Sequence, residues 1–259
     1  MDLGIKGKRA LVCGASKGLG RACANALAEA GVDLVINSRT EEQLAQAARE
    51  IAETYGVSVE TVAGDISDDD VRKQAVATAG PVDILVNNAG GPPTGDFRDW
   101  DEDVWLKALK SNMLTQIFLI RETVDGMIER KFGRILNITS GAVKAPLAPL
   151  GLSNGARTGL TGFVAGLARD VAQHNVTVNN ILPGPFETDR LEVTLAGMAK
   201  KQGISLEEAR ERRRSGNPSK RFGRPEEFGA AAAFLASDKA GFITGQNLLL
   251  DGGAFPGTL

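Results

Sequence analysis

What the chain lacks narrows its chemistry first. It has two cysteines, Cys13 and Cys23, one histidine, His174, and one tyrosine, Tyr55, among 259 residues. Two cysteines suggest neither a disulfide framework nor a thiolate metal site, and no His/Cys/carboxylate cluster has metal-ligand spacing. No metal is therefore expected. A net charge of −2 gives no reason to expect nucleic acid or a charged membrane surface as partner. No apolar run approaches bilayer length, and Met1 to Gly7 has no stretch of signal-peptide character, so a cytoplasmic protein is expected. Cys13 reads as a small buried strand residue, and His174 as a surface residue in a turn after a helix.

What is present is alternation. Leu11–Cys13, Leu34–Ile36, Val57–Val62, Ile84–Val86, Ile135–Ile138, Val176–Val178 and Asn247–Leu250 read as strands. The early ones are short and apolar on both faces, as a parallel sheet covered by helices requires. Helical periodicity fills Gly20 to Ala30 and Glu41 to Tyr55. The pattern predicts an α/β fold: one Rossmann-type, doubly wound parallel sheet of about seven strands with helices on both faces. No repeat or linker divides residues 1–259. From about residue 189 to 220 the chain turns basic, with Lys200, Lys201, Arg210, Arg212, Arg213 and Arg214 on a helix pair broken at Gly203. That segment is either a solvated face balanced by Glu207, Glu208 and Glu211 or a substrate-covering lid that attracts an anion.

Between the first strand and the first helix stands Gly14-Ala15-Ser16-Lys17-Gly18-Leu19-Gly20. Glycines there let the backbone approach a pyrophosphate at a helix N-terminus. Asn87-Asn88-Ala89-Gly90 follows the fourth strand, Ser140 the fifth, Pro183-Gly184 the sixth, and Phe222 to Glu227 precedes the last helix. Over nearly its whole length, to Asp251-Gly252-Gly253, the chain resembles the short-chain dehydrogenase/reductase family, in the branch with 3-oxoacyl-acyl-carrier-protein reductases. The resemblance implies a nicotinamide cofactor held by Gly14, Ser16, Gly18, Leu19 and Gly20. It places Asp65 and Ile66 at the adenine, Asn88, Ala89 and Gly90 along the adenosine ribose side, and Pro183, Gly184 and Thr188 at the nicotinamide end.

The second strand ends in Asn37-Ser38-Arg39, with no acid to repel a 2′-phosphate. Ser38, Arg39 and Lys17 around one phosphate would select NADP.

By the same resemblance, Asn112 orders a relay water on a kinked helix and Ser140 polarises a substrate carbonyl. The family's proton-donating Tyr, and the Lys four residues on, are replaced here by Ser153 and Arg157. A serine hydroxyl is a far weaker acid than a phenol. Arg157 can bond the cofactor ribose, and its permanent charge and planar fork also suit a carboxylate or phosphate. Lys144, four residues beyond Ser140, is a candidate replacement proton donor or a surface lysine. Glu187 and Asp189 either face substrate or serve turn and cap roles. Three functions remain open: an NADP-dependent reductase of a small, anionic carbonyl or alcohol substrate, a non-redox lyase or decarboxylase acting on a keto acid, and a cofactor-binding protein without turnover. Gly155, Gly159, Gly162 and Gly166 form a stripe on one helix face, which suggests close approach of another helix. By resemblance that helix pairs across a dimer axis, and a homotetramer is expected, with a dimer second.

Overall fold

A computed structural model describes residues 1–258. Seven strands, β1 (Arg9–Cys13), β2 (Asp33–Ser38), β3 (Val59–Ala63), β4 (Ile84–Asn87), β5 (Gly133–Ile138), β6 (Val176–Pro183) and β7 (Asn247–Leu250), form one sheet in the order β3-β2-β1-β4-β5-β6-β7. Every neighbouring pair is parallel. All seven strands stand where the apolar runs place them. Only their ends differ: β3 starts at Val59 rather than Val57, and β6 runs on to Pro183.

Nine α-helices lie among the described residues: α1 (Gly18–Glu29), α2 (Glu41–Tyr55), α3 (Asp69–Ala79), α4 (Glu102–Leu109), α5 (Thr115–Glu129), α6 (Gly151–Val171), α7 (Asp189–Gln202), α8 (Leu206–Ser215) and α9 (Pro225–Leu235). Side chains alternate across each strand, so Ala10 and Val12 enter a core built with α1, α2 and α9, whereas Leu11 and Cys13 enter one built with α3, α5 and α6. Both cysteine thiols are buried, which pushes each up to about 12 and leaves them protonated and inert at neutral pH. The strand order reverses between β1 and β4, the switch point where a doubly wound sheet opens its crevice at the carboxyl ends.

Four asparagines tie β4, β5, β6 and β7 together. Asn87 on β4, Asn137 on β5, Asn180 on β6 and Asn247 on β7 are register partners in successive strand pairs. Their amides form one chain: Asn87 Nδ2 donates to Asn137 Oδ1 (2.9 Å), Asn137 Nδ2 to Asn180 Oδ1 (3.1 Å), and Asn180 Nδ2 to Asn247 Oδ1 (2.8 Å). The first three are almost wholly buried, where an unpaired amide is costly, so the row fixes strand register as well as adding bonds.

Position along the row sets the cost of breaking it. Asn137→Ala strands the Asn87 donor and the Asn180 acceptor in the core, at about 1–3 kcal/mol for each buried group left unpaired. Asn247→Ala leaves only the Asn180 donor, at a half-buried strand. Denaturant midpoints should fall clearly further for Asn137→Ala; equal losses would show that the amides are independent.

Candidate active site

The glycine loop is shaped by close contacts. Gly14 and Gly18 have φ of +60° and +61°, and a Cβ on Gly20 would lie 2.2 Å from the Gly14 carbonyl oxygen. Asn88, just beyond β4, donates from Nδ2 to that same carbonyl at 3.3 Å. The first turn of α1 holds no acid and no side-chain cap, so its N–H groups remain available to an anion. Thr188 faces Gly18 across a cleft of about 240 Å³ that also reaches Glu187 and Asp189.

At the end of β2, the Ser38 hydroxyl is buried without a hydrogen-bond partner among the described residues, and Arg39 beside it is exposed and unpaired. The neighbouring Asp65 carboxyl feels three influences. Burial pushes it up, but hydrogen bonding from Ser67 and the fields of Arg39 and Lys110 outweigh burial and leave it below its ordinary value. Lys17 departs from the sequence expectation: its ammonium bonds Asp189 at the start of α7 (2.6 Å) rather than standing free for the β2 end. The pair is largely exposed and worth at most about 1 kcal/mol, so a doubly charged phosphate competes with Asp189 easily. Asp189 thus serves as the partner of Lys17 and the first residue of α7.

The reaction-centre residues come from three elements. Ser140 precedes a 3-10 turn, Gly141–Val143, and its Oγ accepts from the Ala142 N–H (3.1 Å). That contact uses an oxygen lone pair and leaves the hydroxyl proton to donate elsewhere. Asn112 lies in a π-helical turn, Lys110–Leu114, between α4 and α5, which gives the expected helix irregularity a definite form. It is fully buried, and while Nδ2 donates to Ser111 Oγ (2.7 Å), Oδ1 has no partner. Ser153 and Arg157 lie one turn apart on α6, both buried, and the Ser153 hydroxyl makes no hydrogen bond to the described residues.

Arg157 is 6% exposed, and its fork is spent on main-chain carbonyls: Nη1 donates to Ile138 O (2.7 Å) and Nη2 to Ala89 O (3.5 Å). No carboxylate neutralises it among the described residues. Burial, and secondarily the field of Arg190, lowers its guanidinium to about 10, which still leaves it cationic at neutral pH. Lys144 points outward to the C-terminal segment, its Nζ 5.8 Å from the Phe255 ring centre.

One further expectation needs correction, and one open choice is narrowed. The glycine stripe on α6 divides: Cβ atoms on Gly155 and Gly159 would meet Trp105 (3.1 Å) and Met113 (2.8 Å) of this same chain, whereas Gly162 and Gly166 face open space. The first half of the stripe therefore serves intramolecular packing against α4 and the π turn. The basic pair α7–α8 does break at Gly203, and three of the six cations between Lys200 and Arg214 are answered locally. Arg210 pairs with Glu192, Arg212 with Glu208 (2.6 Å) and Arg214 with Glu211, which favours a balanced face over an anion-attracting one. Tyr55 ends α2 and packs against the α1–α2–α9 core, and His174 closes a short turn after α6, as expected of residues outside the site.

A family model described as enoyl-(acyl carrier protein) reductase matches residues 14–254. The chain belongs to the short-chain dehydrogenase/reductase family. It is 34% identical over 95% of its length to the NADPH-dependent reductase BacG of Bacillus subtilis, covering 97% of that protein. It is 36% identical over 98% of its length to the 3-oxoacyl-[acyl-carrier-protein] reductase FabG of Vibrio cholerae, covering 99% of it. Among solved structures, L-sorbose reductase from Gluconobacter frateurii, complexed with NADPH and L-sorbose, superposes with a TM-score of 0.93 at 31% identity, with 99% of this chain and 100% of that one covered.

Within this family member, sequence reasoning overlooked Arg190, the asparagine row, and the edge-to-face Trp100–Trp105 pair whose rings lie against Gly151 and Gly155. The row had a signal, an asparagine inside each of four apolar strands. Arg190 had little, one cation among Glu187, Thr188 and Asp189. The glycine cradle makes a sharp prediction. Gly20→Ala must push the Gly14 carbonyl or α1 aside, so NADPH affinity should fall at least about tenfold and stability by about 1–3 kcal/mol. Unchanged fluorescence titration of NADPH would refute a nucleotide cradle there.

Proposed function

We propose that this protein is an NADP-dependent oxidoreductase that moves hydride between the nicotinamide and a small anionic carbonyl or alcohol substrate. What carries the reading is an open glycine cradle beside a buried guanidinium that has no carboxylate of its own. Gly14, Ser16, Lys17, Gly18, Leu19 and Gly20 would hold the pyrophosphate side, and Asp65, Ile66, Asn88, Ala89 and Gly90 the adenosine side. Ser38 and Arg39 would take the 2′-phosphate, and Pro183, Gly184, Thr188 and Arg157 the nicotinamide end. The orphaned Ser38 hydroxyl and the unpaired Arg39 fit a phosphate, and no acid ends β2 to oppose one. NADP, when bound, supplies or accepts the hydride.

The chain's own residues then govern the carbonyl. Ser140, its oxygen already accepting from Ala142, directs its proton at the substrate oxygen. In reduction, the carbonyl carbon gains hydride and the oxygen needs a proton. Ser153 cannot supply it well, because an aliphatic hydroxyl is too weak an acid. Lys144, which rests against Phe255, would donate it directly or through water only after turning back over Ser140, and the free Oδ1 of Asn112 would hold the water through which protons are replaced. Ser153 and Arg157 shape the space: a small hydroxyl where a phenol would stand, and a fixed positive charge at its back. The missing phenol also supports a second reading, a lyase or decarboxylase that acts on a keto acid without net redox change.

The chain works as one domain, with α7 and α8 covering the substrate. As a homotetramer it would have exposed apolar side chains to cover, among them Leu106, Leu114, Phe163, Phe234, Phe242 and Leu248, with Gly162 and Gly166 facing open space.

Two outcomes follow. NADPH should bind at least about tenfold tighter than NADH, roughly 1.4 kcal/mol, and Arg39→Ala should remove most of that preference; equal affinities by titration would sink the 2′-phosphate site. The double change Ser153→Tyr with Arg157→Lys should reduce NADPH-coupled turnover of oxo acids at least about tenfold, because the buried fork is lost. A rise in reduction of neutral ketones, with oxo acid turnover unchanged, would instead mark the pair as a decayed version of the ordinary site.

A further inference from the structure

We propose that Arg190 sets substrate specificity by binding the substrate's carboxylate, forming with Arg157 a two-guanidinium clamp around the loop that leaves β4. The inference rests on the anionic-substrate reading above and names the residue that enforces it. Arg190 is the second residue of α7, and its Nη2 stands 3.2 Å from where a Cβ of Gly91 would be. Arg157 reaches the same short segment from below, through the Ala89 carbonyl at 3.5 Å. The two guanidinium groups therefore bracket Ala89–Gly91, one buried beneath the loop and one exposed above it. Gly91 is what lets the upper one come so close.

Two of the three nearby acids are committed elsewhere, and the third, Glu187, is exposed and acts on Arg210 and Arg221. Asp189, the adjacent residue, bonds Lys17, and Glu192, in the same first turn of α7, pairs with Arg210. Arg190 itself has neither an ion pair nor a side-chain hydrogen bond among the described residues. Its field reaches Arg157, where it adds to burial in disfavouring the cation. Two like charges with no acid between them are relieved by an anion that accepts from both, and planar forks suit a carboxylate. A cofactor phosphate offers the same chemistry. The free N–H groups at the start of α1 already provide for it, however, whereas Arg190 stands on the β4 loop beside the buried Arg157.

The test uses acetoacetate and methyl acetoacetate, the same ketone with and without charge, titrated calorimetrically into the protein loaded with NADP⁺ so that no reduction occurs. Wild type should bind the acid at least about tenfold tighter than the ester, and Arg190→Ala should bring that ratio close to one. Arg190→Lys should retain part of it, and Arg49→Ala, which removes an exposed cation from the outer side of α2, all of it. If wild type prefers the acid and Arg190→Ala keeps the full preference, the clamp is wrong and the anionic-substrate reading survives. If wild type does not discriminate, or binds neither probe, that reading falls and the clamp with it. A loss confined to NADP⁺ affinity, with the acid-to-ester ratio intact, would assign Arg190 to the cofactor and overturn the proposal.

Discussion

The hydrogen-bonded row from Asn87 through Asn137 and Asn180 to Asn247 holds the floor on which the site is built. Each of its strands leads within a few residues into a loop at the carboxyl end of the sheet: Asn88–Gly91 from β4, Ser140 from β5, Pro183–Gly184 from β6 and Asp251–Gly252 from β7. Parallel strands alone would fix the register through their main chains, but the apolar residues around them are largely interchangeable in packing. A directional amide chain is not, since a one-residue slip would break it at two points. The loops thus share one geometric origin. That origin lies on the α3–α5–α6 side of the sheet, beneath the π turn carrying Asn112 and the start of α6 carrying Ser153 and Arg157.

Above this floor the site's character comes from an imbalance of charge. A lysine at the position of Arg157 would place a single donor-rich point charge there, whereas Arg157 spans two strand-end carbonyls with a rigid fork. The fork is held without a counter-ion in a setting where the cation is disfavoured by burial. Such an arrangement costs stability in the empty protein, and the proposed anion would offset that cost on binding. Around it, the other charges settle their accounts locally: Arg221 and the Arg224 N–H hold the Glu227 carboxyl down to about 2, and this cluster fixes the start of α9. Of the cations with no ion pair among the described residues, Arg39 follows β2 and Arg190 lies against Gly91 in the loop after β4.

Much of this was legible in the residues alone. The strands were readable because they are short and apolar on both faces, and the glycine loop because Gly14 and Gly20 leave no room for a side chain. Ser140 follows β5 and Asn112 lies in an irregular helix, while the roles that the resemblance gives them and the replacement of its Tyr and Lys by Ser153 and Arg157 belong to the proposal. Partner choice was not legible. Lys17 was expected at a phosphate, yet α7 brings Asp189 within reach of it. The glycines of α6 were read as an intermolecular seam, but half of them face Trp105 and Met113, whose approach depends on how α4 enters its π turn. Arg190 acquires meaning only beside Gly91, a neighbour about a hundred positions away in sequence. Local pattern specifies elements and their termini, while long side chains find partners that only the assembled fold supplies.

Hydride transfer in a site without the phenol is the central claim, and isotope transfer tests it most directly. NADPH carrying deuterium at its reactive ring carbon should be incubated with the protein and a panel of short oxo acids, and the products analysed by mass spectrometry. Appearance of one deuterium in a hydroxy acid, matched mole for mole by oxidised cofactor, is the predicted result. Consumption of an oxo acid to an unlabelled product, with NADPH untouched, would contradict it and establish non-redox chemistry in its place.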